Sequence, residues 1–109
     1  MADSSLLDAV LQATDPLHHY GEAPLKRAVQ LLRTGANARG CLQAMVELHE
    51  FYFEATDASA ASYEHALRNA LLLVPMLLRA GDTVTPQMLQ SAKYNCAPEI
   101  TALLLGCAP

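Results

Sequence analysis

The chain reads as an all-α protein built from antiparallel helical hairpins. Three observations predict this. Hydrophobic residues make up 52% of its 109 residues, yet aromatic residues only 6%, so leucine and alanine, both strong helix formers, supply most of the apolar content. No stretch alternates apolar and polar residues as a half-buried strand would. Leucine pairs followed by glycine recur, in QLLRTGAN (30–37), MLLRAGDT (76–83) and ALLLGCAP (102–109), and a leucine pair closed by glycine is a helix ending.

Each element follows from local signals. Helix one spans Ser5 to Ala13, with Leu6, Leu7, Val10 and Leu11 on one side; Asp15-Pro16 stops it, because proline disfavours helical geometry in the residue before it. PLHHYG is a loop. Helix two spans Ala23 to Thr34, with Pro24 suited to a first turn and Leu25, Ala28, Val29 and Leu32 on one face. Gly35 ends it. Helix three spans Cys41 to Ala55, with Leu42, Met45, Val46, His49, Tyr52 and Phe53 inward and Glu47, Glu50 and Glu54 as an acidic stripe. Helix four starts at Ser59 or Ser62 and reaches Ala80, with a kink or break expected at Pro75. Gly81 ends it. Pro86 to Lys93 and Pro98 to Leu105 form the last hairpin, closed by Gly106.

A chain of this length holds one domain, residues 1–109. Seven Lys and Arg against eleven Asp and Glu give a net charge of −4, which argues against nucleic acid, whose binding needs clustered cations. Cys41, Cys96 and Cys107 are odd in number and lack zinc-site or redox spacing. The simple reading is reduced thiols in the cytoplasm. The start lacks the basic segment and apolar run of a signal peptide, and the most apolar run, Ala70 to Leu78, falls far short of the ~20 residues that span a bilayer.

No residue set points to catalysis. His18-His19 are adjacent on a loop and do not converge on one ion. His49 and His65 are expected as packed, hydrogen-bonded histidines. The glutamates of helix three lack the Glu-x-x-His pairs on facing helices that a di-metal site uses. None of the cysteines has a neighbouring base and an oxyanion donor set, and no phosphate loop or Gly-x-Ser-x-Gly elbow is present. The expectation is a protein that is not an enzyme and has no cofactor and no metal.

Thr85-Pro86, then Leu89 and Ala92, then Pro98-Glu99-Ile100 and Leu103-Leu104-Leu105, resemble an ankyrin repeat. The resemblance is clearest over residues 74–106 and partial over 22–38, where VQLLRTGANA looks like the end of another repeat. Thr85 would cap the helix that Pro86 begins. Gln87-Met88 stand where the family usually carries Leu-His, and Gly35 to Gly81 exceeds the ~33-residue period, so the array is divergent.

The resemblance implies stacked hairpins and a binding surface on the first helix of each hairpin and the turn before it. That surface would comprise Arg39, Gln43, Glu47, Glu50 and Glu54, then Asp82, Thr83, Gln87, Gln90, Lys93 and Tyr94. Its acidic middle favours a partner protein with a basic surface. Stacked repeats also need a polar outer face at each end, and PEITALLLGCAP provides little. Leu105 either tucks under the C-terminal tail or meets another chain. A homodimer through the C-terminal hairpin would use Met88, Leu104 and Leu105. The expected function is a small adaptor or inhibitor that occupies a partner's surface. The alternative is a helical chaperone or immunity-type protein that masks a toxin or secreted client, marked by a closed bundle with a deep apolar groove.

Overall fold

The computed structural model describes residues 4–15, 20–48, 60–95 and 98–107. Among them are six helices and no strand: α1 (Ser4–Ala13), α2 (Ala23–Arg33), α3 (Cys41–Leu48), α4 (Ala60–Arg79), α5 (Pro86–Asn95) and α6 (Pro98–Cys107). The all-α class predicted from sequence holds. The expected continuation of helix three from His49 to Ala55 lies outside the described residues.

Two of the leucine–glycine endings are the same device. At the end of α2, Gly35 N–H donates to Leu32 C=O and Ala36 N–H to Leu31 C=O. At the end of α4, Gly81 N–H donates to Leu78 C=O and Asp82 N–H to Leu77 C=O. This is the Schellman pairing, which needs a left-handed residue at the turn; Gly35 and Gly81 supply it at φ 87° and 108°. The third ending differs. Gly106 lies inside α6, which runs on to Cys107, and its φ is not positive. Only one residue separates Leu103-Leu104 from Gly106, against two in the other endings. The shorter spacing keeps this glycine out of the turn position, so the expected closure at Gly106 is corrected.

Of the kink or break expected at Pro75, the break is absent: α4 is continuous from Ala60 to Arg79. Proline removes one helical hydrogen bond, at a cost of about 3 kcal/mol. Leu73, Val74 and Leu77 around it are fully buried, and each buried aliphatic side chain is worth about 1.5–3 kcal/mol, so packing holds the helix together across the defect.

The helices touch in an ordered way. Successive helices pair as α1 with α2, α3 with α4, and α5 with α6. The first members contact one another in sequence, α1 to α3 to α5, and so do the second members, α2 to α4 to α6. The molecule measures 38 × 30 × 18 Å. Helix axes pack about 8–10 Å apart, so two layers account for the short dimension and three helices abreast for the middle one. The core runs between the layers through Leu6 and Val10, Leu42, Met45 and Val46, Leu73 and Leu77, Met88, and Ile100 and Leu104. α2 and α6 are the two ends of their line.

Buried and half-buried polar side chains tie the helices together. Asn69 on α4, 2% exposed, donates from Nδ2 to Ala13 C=O at the end of α1 (2.8 Å). One turn earlier, His65 Nε2 lies 3.2 Å from Gly21 C=O, just before α2. His65 is therefore the packed, hydrogen-bonded histidine expected from sequence; His49 lies outside the described residues. On α6, Thr101 donates from Oγ1 to Ala92 C=O of α5 (3.1 Å).

Candidate functional site

The predicted binding residues divide into a structural group and a surface group. Asp82 belongs to the first. It is 6% exposed. Its Oδ2 accepts the Leu42 N–H (2.9 Å) and its Oδ1 accepts those of Gly40 (3.1 Å) and Thr83 (2.9 Å). Gly40 and Leu42 sit at the N-terminus of α3, where backbone N–H groups have no helical partner. Gly40 has no side chain with which to cap them, and a carboxylate from the turn after α4 does so instead. The placement of Asp82 on a partner-facing surface is thus corrected: burial and three backbone donors hold it inside the fold.

Thr85 caps α5 as its sequence suggested, accepting the Met88 N–H at Oγ1 (3.1 Å). Met88 and Leu104, expected at a self-association surface, are 1% and 0% exposed and belong to the chain's own core. Helix geometry turns both toward neighbours in the layer, so neither is available to a second copy. Of that trio Leu105 alone reaches the surface, at 58% exposure.

The surface group lies on α3 and α5, which touch. Glu47 is exposed, and its Oε1 accepts from Gln43 Nε2, one turn back on α3 (3.1 Å), and from Gln87 Nε2 on α5 (3.3 Å). Gln43 itself is half-buried. Gln87, Gln90 and Lys93 are all exposed and lie on the side of α5 opposite Met88 and Ala92. Arg39 is exposed in the turn before α3, where its N–H donates to Asn37 Oδ1 (3.0 Å). Glu50 and Glu54 lie outside the described residues, as does the side chain of Tyr94.

Energies separate the two groups. Both groups contain a carboxylate, and burial separates them: exposed side-chain pairs contribute about 0.2–0.5 kcal/mol each, whereas backbone N–H groups bonded to a buried carboxylate contribute about 1.5–3 kcal/mol each. The side-chain bonds among Gln43, Glu47 and Gln87 therefore do little to hold the fold. They present amides and a carboxylate on the α3–α5 face, with Arg39 and Lys93 exposed elsewhere on the turn before α3 and on α5. Such a surface can recognise polar and cationic groups.

Among the described residues no cluster of three or more His, Cys, Asp or Glu is placed to hold a metal ion, and no helix is long and apolar enough to cross a membrane. Cys41 is a buried cysteine at the start of α3, in no disulfide; Cys96 and the side chain of Cys107 lie outside the described residues, as do His18 and His19. No protein-family model, no curated protein and no solved structure matches the chain.

Proposed function

We propose that the chain is a protein-interaction module of the ankyrin-like kind, acting as a small adaptor or inhibitor through the α3–α5 face. The observation that carries this reading is a polar surface on two adjoining first helices. Glu47, Gln87, Gln90 and Lys93 are exposed there beside the half-buried Gln43, and their mutual bonds add little to stability. The two-line order of helix contacts supports it, because that order sets the first helix of each hairpin side by side. The exposed Glu47 carboxylate favours a basic partner.

The test is affinity capture from cells that express the protein, comparing the wild-type chain with a Glu47→Lys/Gln90→Glu/Lys93→Glu triple variant. Partner recovery falls with this variant and persists with a Glu64→Ala/Arg68→Ala control on α4. Equal recovery with both variants would refute the assignment.

A second reading, self-association, rests on Leu105 and its neighbours Ala102 and Gly106, all exposed on α6. Glu99 and Thr101 are the only polar side chains in PEITALLLGC, the sequence of this helix, and helices that are apolar on nearly every side are normally covered. Solution mass decides it: a dimer that becomes a monomer with Leu105→Glu supports this reading, and a monomer in both cases ends it.

A further inference from the structure

The second surface that stands out is at the other end of the molecule. α2 carries Lys26, Arg27 and Arg33 and no acidic residue, in a chain of net charge −4. Three of the seven basic side chains thus stand on eleven residues, all three exposed. A groove on this helix is lined by Leu25, Lys26, Val29, Gln30 and Arg33. Val29 and Leu25, one turn apart, are half-buried; Leu25 packs one side against the core, and the aliphatic surface the two leave open forms the floor. Lys26 and Arg33 mark its ends, about 10 Å apart along the axis at 1.5 Å per residue.

We infer that this groove docks an acidic amphipathic segment of another protein, a site separate from the α3–α5 face. Charge complementarity selects the occupant. A helix with carboxylates two turns apart and an aliphatic residue between them meets Lys26 and Arg33 with its acids and rests its apolar side chain on Leu25 and Val29, the groove mode of helix recognition. Nucleic acid fits less well, since its affinity grows with the number of phosphates neutralised and the rest of this chain is acidic. A membrane surface also fits less well. It requires a broad free apolar face, and Ala28, Leu31 and Leu32 of α2 are turned to the chain's own core.

The experiment measures fluorescence anisotropy of a labelled synthetic helical peptide, with glutamates two turns apart and leucine between them, titrated with the 109-residue chain. The peptide binds, and added salt weakens it. Lys26→Glu combined with Arg33→Glu weakens binding about tenfold or more, by turning two attractive contacts into repulsive ones. Replacing the peptide's leucine by serine also weakens it, while Glu99→Gln, exposed on α6 at the far end of the line, leaves it unchanged. Helicity by circular dichroism checks the folding of the double variant, and a lysine-for-glutamate peptide tests the same charge dependence without altering the protein. The inference is overturned by undiminished binding of the double variant or the lysine peptide. It is equally overturned by stronger association with phosphatidylserine vesicles or duplex DNA than with the acidic peptide.

Discussion

Replacing Asp82 tests how the hairpins are joined. In Asp82→Ala, the N–H groups of Gly40, Leu42 and Thr83 lose their acceptor together. Leu42 is fully buried, and a buried donor left without a partner costs about 1–3 kcal/mol. Gly40 and Thr83 are exposed residues, so water replaces part of what their N–H groups lose. The expected total is about 3 kcal/mol, a large share of the 5–15 kcal/mol that holds a typical domain. Asp82→Asn keeps one oxygen but turns an amide NH₂ toward a backbone donor, and should cost about half as much. The assay is urea unfolding followed by helical circular dichroism, read as a fall in midpoint at unchanged slope. A loss below about 0.5 kcal/mol for the alanine variant, the level of an ordinary surface change, would refute the claim that this carboxylate caps α3 from the turn after α4.

Three further outcomes follow from named geometry. Gly35→Ala and Gly81→Ala place a side chain at φ 87° and 108° and should each lower stability by about 1–2 kcal/mol, whereas Gly106→Ala, inside a helix with open space around the added carbon, should be neutral or raise it by up to about 1 kcal/mol; thermal unfolding of the three variants separates them. Asn69→Leu removes the bond to Ala13 C=O and should cost about 1–3 kcal/mol, measured by urea unfolding. Thr85→Ala removes the α5 cap and should cost about 1 kcal/mol, with faster amide exchange at Met88 as its local sign.

Much of the fold was legible because its signals are local. Proline at first-turn positions set the starts of α5 and α6, and Leu-Leu-x-x-Gly set the ends of α2 and α4 through a turn that only glycine adopts readily. What misled was tertiary in origin. Asp82 follows a glycine in a polar stretch and reads as solvent-facing; its role comes from Gly40 and Leu42, some forty residues away, which no local pattern reveals. Met88 and Leu104 read as an apolar end because the face each helix turns inward depends on its neighbours. Gly106 is the exception, since its one-residue shift was visible in the sequence. Within the binding face, Gln43 and Glu47 could be placed together by helical spacing, but the link to Gln87 required the contact between α3 and α5. The cations of α2 were visible as three basic residues without an acid; the groove between them was not.

The most direct measurement of the central claim is site-specific photo-crosslinking in cells, with the photoreactive residue placed at Gln90 on α5 or, for comparison, at Arg68 on α4. Both positions are exposed. A discrete protein adduct from position 90 that disappears with Glu47→Lys, and no such adduct from position 68, is the predicted result. No adduct at 90, or the same adduct from both positions, would contradict a partner-binding face on α3 and α5.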